Sequence, residues 1–418
     1  MPFQHPDPID GPVGRSLWER ADRVMVGGGI YLSRSADMAG RGVQPGFIVS
    51  AEGCRVTDAD GRTYVDLMGA NGPNVLGYRH PEVEAAVDRT RSRITTASLF
   101  PDLLVEVIEG LVETVPAMAW GVVAKNGSEV VSLGARVARQ HTGRRAVVAF
   151  EQAYHGNDPE LALGAPAGPL AELTDDVHRL PWNDPQRLVD HAAAHADRIA
   201  AIVCNPLHQS PRTPTLAPSS EFVSAIAQVR EESGILVVFD DVRHGMRLHP
   251  EGSHVPLGLE PDLIALGKAI GNGHSISGLL GTDEVRRAAR KIMFTSTYMF
   301  EAPPMAAAIT TRAVYERDDA HGHMERMGRR LCEGLAQRAA AAGVGIELSG
   351  PSTMPTLLFR DDADGGRARS FAREAAEHGA IMPPFLNWNL SSAHEPADID
   401  AVLAAATAGF EAVSGGPN

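Results

Sequence analysis

Between about residues 120 and 282, short apolar runs alternate with helical patterns, and this alternation limits the fold more than any other feature. The runs are AVVAF (146–150), IAAIVC (199–204), ILVVF (235–239), LIAL (263–266) and GLLG (278–281). The helical patterns between them include 129–141, 185–196 and 219–233. Short β-rich runs separated by helices predict an α/β domain with a mostly parallel central sheet and helices on both faces. The connections after 150 and 240 are long and irregular, and loops at strand ends are where such sheets put ligands.

The flanking sequence is organised differently. The first fifty residues read as Gly, Pro and short polar turns, and GCRVTDADGRTYVDL (53–67) as a hairpin turning at Asp60-Gly61. Helical patterns follow at 81–95 and 102–114, and residues 303–340 predict one long amphipathic helix. A smaller C-terminal α/β module has a strand near 355–359, a helix at 366–378 and a last helix at 397–413, with Pro396 suited to its first turn. The expected division is an N-terminal segment with the hairpin (1–75), a large α/β domain (76–302) and a small C-terminal α/β domain (303–418).

Charge narrows the partners. Lys and Arg number 38 and Asp and Glu 52, a net charge of −14, which argues against nucleic-acid and anionic-membrane partners. The three cysteines, Cys54, Cys204 and Cys332, form no CxxC pair, which excludes a Cys-based zinc cluster and suits a reducing compartment. No basic segment followed by an apolar run opens the chain, and no apolar stretch approaches the roughly 20 residues that span a bilayer, so a cytoplasmic protein is expected. Gly27-Gly28-Gly29 is not a GxGxxG fingerprint and follows no strand, which argues against a dinucleotide site. HGH (321–323) lacks helical ligand spacing, and no metal is expected.

Of the 38 basic residues only Lys125, Lys268 and Lys291 are lysines. Arginine stays charged, so a retained lysine raises the question of whether its site needs a deprotonatable amine. Lys268 follows the run LIAL and Gly267, where partial desolvation lowers an amine's pKa and frees a nucleophile; the plainer alternative is a surface lysine. The run ILVVF ends in Asp240-Asp241, read either as strand-end solvation or as a carboxylate at the ligand edge of the sheet. Asn126-Gly127-Ser128 precedes an amphipathic helix, read either as an ordinary cap or as an anion site of N–H groups and a hydroxyl.

A phosphate cradle, a carboxylate and a nucleophilic lysine on three strand ends of one sheet are what pyridoxal phosphate requires. The chain also resembles a known family. FDDVRHGMR (239–247), PDLIALGKAIGNG (261–273), KNGSEV (125–130), FEQAYHG (150–156) and GPNVLGYRHPEV (72–83) are similar to motifs of the class III (subgroup II) aminotransferases, fold type I, most closely those akin to glutamate-1-semialdehyde aminomutase. The resemblance runs from GGG (27–29) to SSAHEPADID (391–400).

Several roles follow from the resemblance. Lys268 joins the cofactor as an imine and shuttles the proton, Asp240 pairs with the pyridine nitrogen, and Val242 and Tyr154 cover the two ring faces with His155 alongside. Gly127 and Ser128 bind the phosphate, and Thr297 matches a threonine that reaches the phosphate from a neighbouring subunit, implying a homodimer. Arg34 falls where the family holds a substrate carboxylate. The departures lie on the substrate side. Asn71 stands where Trp is common, Leu386 replaces the aminomutase glutamate, MFEAPP (299–304) replaces SGNP, and NPLHQSPRTP (205–214) replaces a loop whose Asn meets the cofactor hydroxyl, leaving Ser210 or Gln209. His208, His244 and His274 read as pocket linings or as solvated and capping residues, and Arg247 as a structural pair or a second carboxylate clamp. The expected activity is transfer of an amino group from an amino-acid donor to a ketone or aldehyde acceptor. The alternatives are an intramolecular aminomutase or racemase on the same scaffold, and a non-catalytic relative.

Overall fold

The computed structural model describes residues 9–26, 39–162 and 175–414. Its contacts gather the chain into two compact units, one of Pro81–Gln209 with Leu216–Asp318, the other of the chain up to His80 with Ser210–Thr215 and Asp319 onward. The three-part division drew its boundaries at 75 and 302. The contacts draw theirs at 80 and 318 and place the first and last parts in one unit.

The larger unit is built on a seven-stranded sheet. Its strands lie in the order Trp120–Ala124, Ser277–Gly281, Leu263–Leu266, Leu236–Asp240, Ile199–Cys204, Ala146–Phe150 and Val177–Leu180. Ser277–Gly281 is antiparallel to both neighbours, and the remaining pairings are parallel. The five central strands are buried along their whole length, which explains the uninterrupted apolar runs. Along Ala146–Phe150 the faces alternate. Val147 and Ala149 join a core with Val130, Val131 and Val137 of helix Gly127–Thr142, while Phe150 meets Phe222 of helix Ser220–Ser233, ring centroids 5.1 Å apart. Helices therefore cover both faces.

The smaller unit holds the expected hairpin, Arg55–Asp58 against Thr63–Asp66, within a four-stranded sheet completed by Ile48–Glu52 and Ala380–Ile381. Three elements depart from expectation. Pro12–Val24 is a helix, not a run of turns, with Pro12 at its first turn. The expected single helix over 303–340 is two, Ala302–Arg317 and Ala320–Ala341. Asp319 breaks it by taking a left-handed conformation (φ 46°) and capping the second helix through Gly322 N–H, 3.2 Å. Two short strands, Ile346–Ser349 and Thr356–Phe359, pair with each other, where only the second was expected.

The loop after Leu236–Asp240 is tied down from several sides. Asp241 N–H continues the ladder to Ala265 C=O (2.9 Å), Gly245 N–H returns to Asp241 C=O (2.9 Å), and the Tyr315 hydroxyl donates to Met246 C=O (2.6 Å). The Asp241 side chain, fully buried, accepts from Ser253 N–H at 2.8 Å through Oδ2. Burial pushes its carboxyl up to about 7, opposed by the Ser253 hydrogen bonds and reinforced by the charge of Asp240. An acid whose folded pKa lies above its unfolded value contributes stability fully below the unfolded value and loses it as pH rises through the folded one. The contribution of Asp241 is thus complete below about 4 and gone above about 7. Asp241→Asn should lose less stability than the parent between pH 5 and pH 8, by about 3 kcal/mol, in urea denaturation. Parallel pH curves for the two proteins would show that Asp241 does not titrate there.

Candidate active site

Sheet register brings the chemistry-bearing residues to one edge. Asp240 closes its strand opposite Ala265, and Lys268 follows three residues beyond Ala265. Ser277, at the start of the antiparallel strand, lies opposite Ala124, and its hydroxyl donates to Asn126 C=O at 2.9 Å. The C-terminal ends of the parallel strands and the N-terminal end of the antiparallel one thus meet around Asn126–Ser128.

Helix Gly127–Thr142 starts there because Asn126, in extended conformation, caps it. Asn126 Oδ1 accepts from Glu129 N–H (3.2 Å), and Glu129 Oε2 accepts in return from Asn126 N–H (3.1 Å) and Lys125 N–H (2.8 Å). The cap is Asn126, so Ser128 is released for another contact: its Oγ accepts from Asn157 N–H at 3.0 Å. The N–H groups of Gly127 and Ser128 have no intrahelical acceptor, and the positive end of the helix dipole lies there.

Three glycines make this edge concave. A Cβ on Gly127 would lie 2.7 Å from Val242 Cγ1, one on Gly267 would lie 3.1 Å from the same atom, and one on left-handed Gly156 (φ 102°) would run into Ser128. Half-buried Val242 therefore lies against both the start of helix Gly127–Thr142 and Gly267 at the end of a strand.

Asp240 is 4 % exposed and His155 1 %. His155 Nδ1 donates to Asp240 Oδ2 at 2.8 Å, and Val242 N–H to Asp240 Oδ1 at 3.2 Å. His155 Nε2 is buried and has no hydrogen-bond partner among the described residues. Tyr154 is 52 % exposed, and its hydroxyl donates to Asn157 Oδ1 at 3.4 Å. Partial burial, then the charge of Asp240, pushes its phenol above the ordinary range. Lys268 is half-buried, with a left-handed backbone (φ 45°). Of the other lysines, Lys125 is bound to Glu301 (3.0 Å) and Lys291 is exposed.

Thr297 is exposed, in a segment where Met293 and Tyr298 also lie open. Arg34 and the run GGG (27–29) lie outside the described residues. The sequence reading treated His244 and Gln209 separately, and the structure pairs them, Nε2 to Oε1 at 3.0 Å. It missed the contact of Asn157 with Ser128 and the reciprocal cap of Asn126 with Glu129. Only the second had a local signal, the N-x-x-E spacing. Among the described residues no group of His, Cys, Asp and Glu is arranged to hold a metal ion, and no helix is long and apolar enough to cross a membrane.

A buried carboxylate, a strand-end amine, an N–H-rich helix terminus and a glycine-lined hollow fit a phosphorylated, aromatic nitrogen aldehyde of the pyridoxal phosphate type. Comparisons with known proteins agree. The chain is 36 % identical over 404 residues to the aminopentol aminotransferase of Sphingopyxis macrogoltabida, covering 97 % of this chain and 95 % of that protein. It is 29 % identical over 422 residues to the glutamate-1-semialdehyde 2,1-aminomutase of Desulfatibacillum aliphaticivorans, covering 94 % and 97 %. The solved pyridoxal phosphate internal aldimine form of the FumI protein from Sphingopyxis sp. MTA144 superimposes with a TM-score of 0.92 at 35 % identity, over 96 % of this chain and 97 % of that one. The family described as aminotransferase class-III matches residues 38–393, and the chain belongs to that family of pyridoxal-phosphate-dependent fold type I enzymes.

Proposed function

We propose that this aminotransferase moves an amino group from an amino-acid donor to a ketone or aldehyde acceptor at the strand-end site around Lys268 and Asp240. The observation that carries the reading is the buried, histidine-braced carboxylate of Asp240 on the sheet edge that also presents Lys268.

Bound pyridoxal phosphate supplies an aldehyde that condenses with amines and a ring that takes up electrons while its nitrogen is protonated. Asp240 would hold the proton on that nitrogen, because a carboxylate braced by His155 Nδ1–H and Val242 N–H is a fixed negative charge in a dry site. The N–H groups of Gly127 and Ser128 would hold the phosphate. Val242 and Tyr154 would cover the two ring faces. Lys268 is the amine that would hold the cofactor, and its Nζ would carry the proton between donor carbon and cofactor. Arg34 would take a substrate carboxylate.

A homodimer completes this reading. In the same unit as the site, Leu99, Phe100, Met293 and Tyr298 are largely exposed apolar side chains. Phe100 packs on Phe300 at 5.0 Å, and Thr96 pairs with Glu301, so the two segments form one apolar patch with Thr297 in it. A patch of this kind marks a protein contact, and a second copy would bring its own Thr297 to the phosphate. Aminopentol belongs among the amino donors to be screened, alongside amino acids, since the relative at 36 % identity is named for it.

Lys268→Ala should lose the borohydride-trappable visible chromophore that the parent shows with pyridoxal phosphate, and an unchanged chromophore would refute the assignment. Asp240→Asn should lower kcat by about 10²–10³-fold, measured as keto-acid release from the donor half-reaction. Stoichiometric release separates transamination from an aminomutase or racemase, which needs no second substrate. Co-expressed Lys268→Ala and Thr297→Ala chains should give mixed dimers with one intact site and activity above the mean of the two parents. Activity no higher than that mean would place Thr297 in its own subunit's site or in none.

A further inference from the structure

Glu301 occupies a position whose usual task it does not perform. It directly precedes helix Ala302–Arg317, yet its side chain makes no cap hydrogen bond. Pro303 and Pro304 have no N–H to offer, and Ala302 N–H goes to Thr95 C=O at 2.8 Å. The carboxylate turns instead to Lys125: Oε2 lies 3.0 Å from Nζ, with the lysine side chain 14 % exposed and the glutamate 35 %. Lys125 Nζ also donates to Ser275 C=O at 3.3 Å. Glu301 lies in MFEAPP, the stretch that replaces SGNP, and SGNP contains no acidic residue to pair with a lysine.

Each end of this pair is joined to a group assigned above to a phosphate. Lys125 directly precedes the cap Asn126. Its N–H donates to Glu129 Oε2 (2.8 Å), and its C=O accepts from Ser275 Oγ (2.8 Å). The placing of Lys125 therefore sets where the N–H groups of Gly127 and Ser128 stand. Glu301 closes the segment that carries Thr297. Met299 N–H returns to Ser296 C=O (3.3 Å) and Glu301 N–H to Tyr298 C=O (3.1 Å), so residues 296–301 form consecutive turns, with Thr96 paired to Glu301 alongside. We propose that Lys125 and Glu301 are a positioning pair that holds the Thr297 segment in register with the phosphate-binding helix start, so that cofactor binding and subunit pairing strengthen each other. The inference rests on the homodimer reading, in which one protomer's Thr297 serves the phosphate of its partner. It adds an intrachain link between the two sites to which each protomer contributes.

The test compares Lys125→Met, Glu301→Gln, their double variant and Lys125→Arg in the full chain. Pyridoxal phosphate should tighten the parent dimer, read in sedimentation runs as the ratio of the subunit dissociation constants without and with the cofactor. Linkage requires the same ratio between the cofactor affinities of dimer and monomer, which titration of the visible band at high and low protein concentration measures independently. Lys125→Met and Glu301→Gln should each cut the ratio roughly three- to tenfold, the loss of one charged hydrogen bond. The double variant should lose no more than either single one, because both remove the same contact. Lys125→Arg keeps the charge and should keep the ratio, and it reports on the pair even if a neutral variant fails to fold. A pair that only supports the fold would lower the urea midpoint and leave the ratio at the parent value, which overturns the proposal. So do a parent ratio of one, additive losses in the double variant, and a loss in Lys125→Arg equal to that in Lys125→Met. A parent that shows the visible band but stays monomeric overturns both this proposal and the homodimer reading, whereas a parent with no visible band shows that the transaminase reading itself has failed.

Discussion

A carboxylate ends a strand on which every residue is buried, and the surrounding loops are arranged to accommodate it. Asp240 sits in surroundings where an unpaired charge costs several kcal/mol. Its two oxygens are met by His155 Nδ1–H and Val242 N–H, from the ends of two different strands. That requirement fixes the loop after Phe150. His155 must reach inward, so Gly156 turns back in the left-handed region at the one place where a side chain would strike Ser128. The Asn157 N–H then lands on Ser128 Oγ and ties the loop to the start of helix Gly127–Thr142. Asp240, Tyr154 and the helix terminus are thus set by one chain of contacts.

Much of this framework was readable because it is local. Apolar runs bounded by turn residues placed the buried strands to within a residue or two, since a strand buried on both faces has no polar positions to blur it. Strand direction was not readable: GLLG looks the same parallel or antiparallel, and Ser277–Gly281 proved antiparallel. The helix Pro12–Val24 was hidden by flanking glycines and prolines that resemble turns, although its own interior is helix-compatible. The break at Asp318-Asp319 was hidden for the opposite reason. Aspartates on the polar side of an amphipathic pattern look like solvated surface, and nothing in the spacing shows that Asp319 caps a new helix.

The candidate site divides along the same line. Asp240, Lys268, Gly127 and Ser128 lie at the ends of recognisable elements. The pairing of His155 with Asp240 spans 85 positions, and that of His244 with Gln209 spans 35. No periodicity carries such contacts; they appear only when the sheet brings its strand ends together. The burial of Asp241 was equally out of reach, because the pattern Asp240-Asp241 does not reveal which carboxylate faces the site and which is walled in beside Ser253.

The fate of the three lysines shows how composition and geometry reinforce each other. A chain that otherwise meets every need for positive charge with arginine keeps Lys125, Lys268 and Lys291. Lys125 is occupied by Glu301 and Ser275 C=O, and Lys291 is solvated, tasks an arginine also performs. Lys268 differs in its backbone as well as its place. It has φ of 45°, and Asn272 at the end of the same short turn has 42°, so two non-glycine residues occupy a region that costs each about 1 kcal/mol or more. A glycine would relieve that strain at 268 and an arginine would supply the charge, but neither offers an amine that can lose its proton. The proposed role of Lys268 needs that amine, so on this reading neither replacement serves.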